Sequence, residues 1–406
     1  MEPRIVVFSM LFPNSAQPNA GVFIRERMFR VGKKIPIVVV APSPWFPCQG
    51  LIRKFKPHFR PEAPAYEEQQ GVQVFHPRFL CIPGIFKFMD GFFMALGSIG
   101  LMLKLKRKFE FNLIDAHFGY PDGRAATILG RWLGMPVTIT LRGTEVPHAK
   151  ELMRGRLLIK SLNDATRVFS VSNSLKNHAI NLGVSGDRIT VVGNGVDTGK
   201  FFPVDKKTAR EMLNLPMNAK VIVTIGALVE RKGFHRVLDI LPELIKSNPS
   251  LCYLIVGSGG VEGDWTARLK KQVDDLGLND NVRFMGAKPP EELKNILSAA
   301  DLFVLPTRNE GWANVLLEAM ACGLPIVASD VGGNAEVINQ DKLGVIVPFG
   351  EQTSLLNAVA ESLAKDWDQQ FIQDYAKKNS WDSRVDVLVA QFTDIVKHFP
   401  TLKLAK

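Results

Sequence analysis

Two glutamates eight positions apart mark the most informative segment of the chain, PTRNEGWANVLLEAMACGLPIVASDVGGNAEVI at 306–338. Glu310 precedes a helix that the apolar spacing predicts over about 313–322, and Glu318 lies inside that helix. The unpaired backbone N–H groups at 311–314 would lie at the helix start, where they can bind a phosphate. A carboxylate beside such amides, with a second carboxylate able to hold the two hydroxyls of a ribose, predicts a nucleotide-sugar site. The alternative is an amphipathic helix with two solvated glutamates.

A second segment, TIGALVERKGFHRVLDILPEL at 224–244, carries positive charge at the end of a predicted strand. The strand ends in a glycine-containing turn, and Arg231, Lys232 and Gly233 then open a helix whose N-terminus adds positive potential. This pattern predicts a binding site for a diphosphate. The alternative is two surface cations on a turn.

The loop VGSGGVEG at 256–263 contains part of a dinucleotide-binding fingerprint. Gly257 and Gly259 fit G-x-G, but Glu262 occupies the position where the third glycine is required. The loop therefore gives little support to a dehydrogenase.

Polar residues also follow predicted strands in the first half of the chain. His117 comes just after the strand NLIDA, Arg142 and Glu145 follow the strand VTITL, and Gly21 lies in a loop ahead of a helix in NAGVFIRERM. A lone histidine is more often structural than catalytic, and a glycine in front of a helix can simply permit the turn. The residues alone leave both interpretations open.

Apolar runs of strand length alternate with helical patterns along the whole chain and predict an α/β fold with parallel sheets. The runs begin at 5, 35, 112, 137, 167 and 189, and the rhythm restarts at 220, 251, 281, 301, 325 and 344. The restart and the length of 406 residues predict two domains, 1–200 and 201–380, with a helix over about 381–406 that crosses back to the first. In such sheets, ligands bind outside the carboxyl ends of the strands.

The run EGWANVLLEAMACGLP resembles the E-x7-E motif of the retaining glycosyltransferases of family 4. That family has the GT-B fold, so the resemblance implies two Rossmann-like parallel-sheet domains facing across a cleft. It implies that the first domain binds an acceptor, the second binds a nucleoside diphosphate sugar, and a hexose passes to an acceptor hydroxyl with retention of configuration. Glu310 would then contact hydroxyls of the donor sugar, and Glu318 would hold the ribose.

The resemblance assigns roles to further residues. Lys232 matches a lysine on the donor diphosphate, whereas Ala227 stands where family members have an arginine, and we expect Arg231 to compensate. His117 matches the histidine beside the donor sugar and its anomeric carbon. The other residues expected at the donor are Gly21, Gly257, Met285, Gly311, Trp312, Ala313, Asn314 and Val315.

One further departure from the family pattern and one further candidate pair of residues belong to this assignment. Trp312 and Ala313 replace the Phe-Gly of many members, a change that could alter the sugar pocket while leaving the backbone amides in place. Arg142 and Glu145 occupy a strand end of the first domain and are candidates for acceptor binding.

We expect neither a metal ion nor another cofactor. The one D-x-D sequence, at 366–368, lies in a predicted surface helix far along the chain from the donor segments. Arg231, Lys232 and the helix N-termini could neutralise a leaving diphosphate in place of a divalent ion. No C-x-x-C spacing suggests a zinc site or a redox pair among the four cysteines, Cys48, Cys81, Cys252 and Cys322.

Positive charge is concentrated in the first half. The chain carries +10 overall, whereas residues 1–200 hold 27 Lys and Arg against 14 Asp and Glu, a net charge of +13. This is consistent with an ordinary soluble surface, or with attraction to an anionic membrane, a phosphorylated acceptor or nucleic acid. The partners we expect are a nucleotide-sugar donor, a glycan or lipid-linked acceptor of envelope polysaccharide synthesis, and an anionic membrane surface, but no nucleic acid.

The most apolar stretch covers 82–105. Only 13 uncharged residues follow Asp90, fewer than the roughly 20 that span a bilayer, so we expect no transmembrane helix. The stretch could form a helix that packs inward or lies at a lipid surface. The segment 45–64, which mixes aromatic and basic residues, is expected to be a long loop. No export signal is visible, so we expect a cytoplasmic protein, in part at the inner membrane face.

Two other functions stay open from the sequence. A sugar-nucleotide epimerase or hydrolase on the same fold would consume the donor without an acceptor. A non-enzymatic basic protein that binds a membrane surface would use the first half alone and leave Glu310, Glu318 and Lys232 unexplained.

Overall fold

Parallel β-strands form the centre of both halves of the protein. The structure is a computed structural model and describes residues 2–18, 20–47, 49–55, 59–84, 86–260 and 262–399. The strands of the first half are β1 (Ile5–Phe8), β2 (Ile37–Val40), β3 (Ser43–Trp45), β4 (Tyr66–Gln69), β5 (Val72–Phe75), β6 (Arg78–Leu80), β7 (Leu113–His117), β8 (Val137–Leu141), β9 (Arg167–Ser170) and β10 (Ile189–Val191). Those of the second half are β11 (Val221–Ile225), β12 (Cys252–Val256), β13 (Val282–Gly286), β14 (Leu302–Leu305), β15 (Ile326–Ser329) and β16 (Gly344–Val347).

Helices connect most of these strands. The first seven are α1 (Val22–Gly32), α2 (Gln49–Phe55), α3 (Asp90–Lys108), α4 (Asp122–Leu133), α5 (Glu145–Ala149), α6 (Leu152–Asp164) and α7 (Asn173–Asn181). The others are α8 (Lys206–Met212), α9 (Phe234–Ser247), α10 (Thr266–Asp275), α11 (Pro290–Ala299), α12 (Asn314–Ala321), α13 (Asn334–Val337), α14 (Gln352–Ala364), α15 (Gln369–Lys378) and α16 (Trp381–His398). Short 3-10 turns occur at Lys87–Met89, Gly186–Arg188 and Glu230–Lys232.

The first sheet has eight strands in the order β10-β9-β8-β7-β1-β2-β5-β4. All neighbouring strands are parallel except the edge pair β4 and β5, which is antiparallel. The central strands β1 and β7 are buried along their whole length. Continuous apolar sequences such as IVVF fit such strands, because helices cover both faces of a parallel sheet.

The second sheet has six parallel strands in the order β13-β12-β11-β14-β15-β16. The strands β11, β12 and β13 follow one another toward one edge of the sheet, and β14, β15 and β16 follow one another toward the other edge. This is a doubly wound order, and its switch point lies between β11 and β14, where open parallel sheets bind their ligands. The predicted α/β fold with two Rossmann-like sheets is therefore confirmed.

The chain divides into two structural units, described separately below. Unit 1 contains the residues up to Asn194 and those from Arg384 onward, and unit 2 is Gly195–Ser383. The division falls six residues before the boundary drawn near 200 from the sequence. The last helix, α16, begins in unit 2, and its apolar residues from Val385 to Ile395 join the core of unit 1.

The sequence prediction missed the structure between 43 and 80. The expected loop over 45–64 contains the helix α2, and the strands β3 to β6 lie in or beside it. These strands have three or four residues each, and β4 alternates exposed and half-buried positions, so they give no long apolar run. The D-x-D sequence is not helical but precedes α15, with Asp368 capping that helix.

Some predicted features lie outside the described residues. These are Cys48, the part of the predicted loop at 56–58, Asn19 in the loop ahead of α1, and the end of the predicted last helix at 400–406. The three described cysteines, Cys81, Cys252 and Cys322, are free and buried.

The apolar stretch after Lys87 forms the long helix α3. By length and composition, the helix over Lys87–Lys108 could cross a membrane. The sequence analysis expected no such helix, because it counted only 13 uncharged residues after Asp90. One face of the helix packs inside unit 1 against α4 and β6. Gly97 makes this approach close, since a Cβ there would lie 2.5 Å from the carbonyl oxygen of Arg78.

We predict that Phe392 on α16 is needed for the stability of unit 1. Its side chain is 0% exposed, and its ring meets the edge of Phe169 with centroids 5.6 Å apart. Phe392→Ala should cost about 3–5 kcal/mol of unfolding free energy, because it leaves a cavity in the core. Urea unfolding followed by circular dichroism measures this loss. Val387→Ala, at an exposed position of the same helix, should change it by less than about 0.5 kcal/mol, and equal losses would contradict the packing role.

Candidate functional site

The carboxyl ends of β11 and β14 bring three charged residues of unit 2 together. Lys232 Nζ donates to Glu310 Oε1 at 2.5 Å, and Arg231 Nη1 lies 3.3 Å from the same oxygen. All three side chains are at most 23% exposed. The structure thus joins the two segments that the sequence analysis singled out separately.

The backbone around Glu310 is fixed by its neighbours. Thr307 Oγ1 lies within hydrogen-bond distance of the carbonyl oxygen of Arg231 and of Glu310 Oε1, at 3.0 and 3.3 Å. Gly332, from the loop after β15, has φ +56°, and a Cβ on it would lie 1.7 Å from the carbonyl oxygen of Glu310. Only glycine tolerates both the left-handed conformation and this approach. The loop after β15 therefore supports the position of Glu310.

Arg231 also binds a carboxylate that the sequence analysis treated only as a defect in a glycine motif. Its Nε and Nη2 donate to Glu262, with the shortest distance, 2.7 Å, between Nη2 and Oε1. Hydrogen bonding from Arg231 lowers the pKa of Glu262, and hydrogen bonding to Glu262 raises the pKa of Arg231. Glu262 therefore competes for the guanidinium expected to bind a diphosphate.

Ala227 makes room for the loop that carries Glu262. Gly260 and Gly263 hydrogen-bond to each other and close a tight turn around Glu262. A Cβ on Gly260 would lie 3.0 Å from Cβ of Ala227, so the two backbones approach closely. The missing arginine at 227 and the Arg231–Glu262 contact thus belong to one local arrangement.

The helix α12 begins four residues after Glu310, close to the predicted start. Leu316, Ala319 and Met320 on this helix are buried. The indole N–H of Trp312 is buried and has no hydrogen-bond partner among the described residues. A buried donor without a partner is costly unless a ligand or water satisfies it. The remaining predicted donor residues on this segment are Gly311, Ala313, Asn314, Val315 and Glu318, which stand before or within the first turns of the helix.

Gly257 and Met285 lie at neighbouring strand ends. Gly257 follows β12, and a Cβ on it would lie 1.8 Å from the carbonyl oxygen of Gly226. Met285 is the penultimate residue of β13, and its partly buried side chain packs on the core. Their predicted contacts with the donor stay predictions.

In unit 1, His117 ends β7 in a fully buried position. Its Nδ1 lies 3.0 Å from Arg142 Nη2, and its Nε2 lies 3.5 Å from Asp115 Oδ2. Because a guanidinium can only donate, Nδ1 must accept, and the proton of the neutral ring is on Nε2. Burial and the positive charge of Arg142 and Arg27 lower the pKa of His117 well below its usual value, so the ring is neutral at pH 7.

Asp115 and Arg27 complete this buried group, and the sequence analysis missed both. Burial raises the pKa of Asp115 to about 6 and lowers that of Arg27 to about 10. Arg27 Nη1 has no hydrogen-bond partner among the described residues, while Nη2 donates to the carbonyl oxygen of Val192. An aspartate inside the strand run NLIDAH was the signal available in the sequence, because charged residues rarely lie in buried strands.

Phe118, directly after His117, has φ +73°. Left-handed conformations are uncommon for a residue with a large side chain and concentrate at functional sites. The conformation thus supports a functional role for this strand end.

Arg142 and Glu145 form a polar turn after β8. Arg142 Nη1 donates to Asn194 Oδ1 at 3.0 Å. Glu145 is 2% exposed, and its carboxylate accepts from the backbone N–H groups of Gly119, Arg142 and Gly143. Glu145 therefore positions the turn, and acceptor binding by this pair stays a prediction.

Gly21 precedes α1 with φ +70°, and a Cβ on it would lie 2.4 Å from the carbonyl oxygen of Leu11. This contact accounts for a glycine at this position. Its predicted approach to a donor phosphate stays a prediction.

A cavity of about 750 Å³ opens in unit 1 where β1, β2 and β5 end. Gln49 and His76 are among its polar lining residues. Gln49 is 5% exposed, and its Oε1 has no hydrogen-bond partner in the described part of the chain. The sequence analysis missed this cavity because it expected only a loop here.

Within the described ranges, no group of three or more His, Cys, Asp or Glu side chains is arranged to hold a metal ion. The Asp366 and Asp368 pair thus has no such cluster around it.

Family models match both halves of the chain. The model of the glycosyl transferases group 1 matches residues 205–379, and that of Glycosyltransferase Family 4 matches residues 55–200. The chain is 27% identical over 369 residues to TuaC of Bacillus subtilis (strain 168), a protein named as a teichuronic acid biosynthesis glycosyltransferase. The match covers 89% of this chain and 88% of that protein.

Solved structures of the same architecture have low sequence identity to the chain. The sucrose-phosphate synthase of Thermosynechococcus elongatus has a TM-score of 0.77 at 20% identity, covering 98% of this chain and 100% of the other. HepE of Anabaena in complex with UDP has a TM-score of 0.74 at 19% identity, covering 96% and 100%. These similarities identify the fold as GT-B.

Proposed function

Since the chain belongs to the glycosyltransferases of family 4, we propose that it moves a hexose from a nucleoside diphosphate sugar to an acceptor hydroxyl with retention of configuration. The observation that carries this proposal is the contact of Lys232 and Arg231 with Glu310 at the switch point of the second sheet. Two cations there can stabilise a leaving diphosphate, and a carboxylate beside them can orient sugar hydroxyls.

In the proposed reaction, the bond between the anomeric carbon and the diphosphate oxygen breaks as the acceptor oxygen attacks from the same face. The leaving phosphate oxygen takes the acceptor proton. Arg231, Lys232 and the amides at the start of α12 stabilise the charge on the diphosphate, so the reaction is proposed to proceed without a metal ion. Positioning of the sugar supplies the remaining rate enhancement.

Individual residues take distinct roles in this proposal. Glu310 orients the sugar, and Glu318 binds the ribose. The indole N–H of Trp312, buried and without a described partner, is available to the sugar or phosphate. The neutral ring of His117 steadies the sugar, and Arg142 fixes its tautomer and orientation.

The acceptor is proposed to be a glycan of cell-envelope polysaccharide synthesis, free or lipid-linked. The name of TuaC supports this class of product, since teichuronic acid is a polysaccharide. The cavity of unit 1 supports binding of a polar acceptor, because it is large and is lined by Gln49, whose buried oxygen has no hydrogen-bond partner in the described part of the chain.

We expect a donor screen to identify one nucleotide sugar that stabilises the protein. UDP-, GDP- and ADP-hexoses are compared by thermal shift, because a ligand at 100 times its dissociation constant adds about 2.7 kcal/mol to stability. The selected donor is then incubated with EDTA, with and without a glycan acceptor, and the product anomer is assigned by NMR. Equal donor consumption without acceptor would indicate the epimerase or hydrolase, and no binding of any donor would refute the proposal.

We predict that three substitutions separate donor binding from turnover. Glu318→Ala should weaken donor binding at least about tenfold, because hydrogen bonds to a charged group contribute about 1.5–3 kcal/mol each. Glu310→Gln and His117→Ala should lower kcat at least about tenfold, near 1.4 kcal/mol of barrier. Calorimetry and initial rates measure both effects, with Glu361→Ala on the exposed face of α14 as control. Wild-type values in all three variants would refute the residue roles.

We predict that Glu262→Gln increases the affinity for UDP about twofold to fivefold. The substitution frees Arg231 from a partly exposed ion pair, which contributes up to about 1 kcal/mol. Calorimetric titration with UDP measures the change, and Glu291→Gln at an exposed position of α11 is the control. Weaker binding would mean that Glu262 positions Arg231 instead of competing with the diphosphate.

We predict that Gln49→Leu raises the KM for the acceptor about tenfold while the donor affinity stays constant. The leucine removes the unpartnered carbonyl oxygen that would accept from an acceptor hydroxyl. Initial rates at saturating donor measure the KM, and Gln340→Leu, exposed in unit 2, is the matched control. An unchanged acceptor KM would remove the cavity from the proposal.

A further inference from the structure

The helix α3 has an apolar face that the rest of the described structure covers only in part. Phe92, Leu96, Ile99 and Leu103 follow one another at spacings of four, three and four residues and so share one side of the helix. We call these four residues the outer face of α3. Phe92, Leu96 and Leu103 are between 44% and 54% exposed.

The opposite side of the same helix is part of the core of unit 1. Met94, Ala95, Ser98 and Met102 are fully buried. Only a third of the most apolar 18-residue window is buried, although its mean hydropathy is 1.5. A helix this apolar is usually covered on most sides, and a contiguous exposed apolar patch marks an interaction site.

The apolar surface continues beyond the N-terminal end of the helix. Phe86 and Phe88 are 58% and 38% exposed, and their rings contact each other at 6.2 Å between centroids. The exposed apolar residues therefore extend over more than three helical turns.

Positively charged residues come directly after the outer face in the sequence. Lys104, Arg107 and Lys108 are exposed in the last turns of α3. Lys106, in contrast, donates to the carbonyl oxygen of Leu133 and belongs to the packed side. An apolar stripe that ends in a cluster of exposed cations is complementary to a bilayer with anionic headgroups.

A groove runs beside the outer face. It has a volume of about 530 Å³ and is lined by Phe93 and Leu96 of α3 and by Phe79 of β6. Trp45 and Arg78 line both this groove and the 750 Å³ cavity. The groove beside the outer face thus shares two wall residues with the cavity proposed for the acceptor.

We propose that the outer face of α3 docks in the plane of an anionic lipid bilayer, with its apolar side chains among the acyl chains and its terminal cations at the headgroups. The helix lies on the bilayer and does not span it, because Met94 and Met102 hold its other side in unit 1. The docking itself is independent of the proposed transfer reaction. Where that reaction holds, docking places the groove and cavity beside lipid-linked acceptors.

Vesicle cosedimentation of the full chain tests the docking. The vesicles contain phosphatidylcholine with about one third phosphatidylglycerol. They are compared with vesicles of phosphatidylcholine alone, at low and at high salt. We expect at least about tenfold stronger partitioning to the anionic vesicles, and a decrease in high salt because screening weakens the headgroup contacts. Wild-type protein that stays in the supernatant with both vesicles would overturn the proposal.

Two variants separate the apolar and the electrostatic contributions. Phe92→Gln with Leu96→Gln should weaken partitioning to anionic vesicles at least about tenfold, since two partly exposed apolar side chains no longer enter the bilayer. Lys104→Glu with Lys108→Glu should give a similar loss that disappears in high salt. The matched controls in unit 2 are Met212→Gln with Met217→Gln and Lys207→Glu with Lys378→Glu, which should partition like the wild type.

Two further readouts identify competing explanations. Donor-induced thermal shift should be unchanged in the variants of α3, so loss of docking and failure of the transfer reaction are distinguishable. Analytical ultracentrifugation detects a second copy as the occupant of the outer face. A wild-type dimer that Phe92→Gln with Leu96→Gln makes monomeric, with vesicle binding unaltered, would overturn the lipid assignment.

Discussion

The contact between Lys232 and Glu310 depends on the neighbouring positions of β11 and β14. The two residues are 78 positions apart in the chain, and the pairing of Val223 with Phe303 brings the ends of their strands side by side. Their separate segments become one site only through this parallel register. Glycines at the crowded loops then allow the backbones to approach, as Gly332 does at Glu310. The chemistry proposed for unit 2 therefore rests on a switch point of the sheet, which is where open α/β folds bind ligands.

Much of this second sheet could be predicted because its central strands, β11, β12, β14 and β15, are mostly apolar runs of four or five residues and are almost fully buried. The E-x7-E segment could also be interpreted from the sequence, because a strand, a turn and a helix follow one another there without interruption. The strands β3 to β6 have three or four residues and partly exposed faces, so their sequences differ little from those of a loop. Their missed assignment also concealed the cavity and Gln49, because a cavity wall is formed by segments that only tertiary structure brings together.

The environment of His117 illustrates a second limit of sequence reasoning. Its position at a strand end was predictable, but its tautomer depends on Arg142, which reaches its Nδ1 from another strand end. Burial and the positive charge of two nearby arginines together keep the ring neutral. A histidine in this state can accept or donate a hydrogen bond but does not carry charge at neutral pH. Steadying a sugar hydroxyl requires only that capacity, whereas acid catalysis would require a proton the environment removes.

Net charge and local charge give different information about the two units. Residues 201–406 carry 23 Lys and Arg against 26 Asp and Glu, yet two of those cations meet at the proposed diphosphate site. Glu310 and Glu262 balance them in the absence of a donor, so an incoming diphosphate must compete with at least one carboxylate. Glu262 is 46% exposed and Glu310 is 11% exposed. Because water can solvate the more exposed carboxylate at little cost, the proposed reaction requires Glu262 to release its cation, while Glu310 keeps its proposed place beside the sugar.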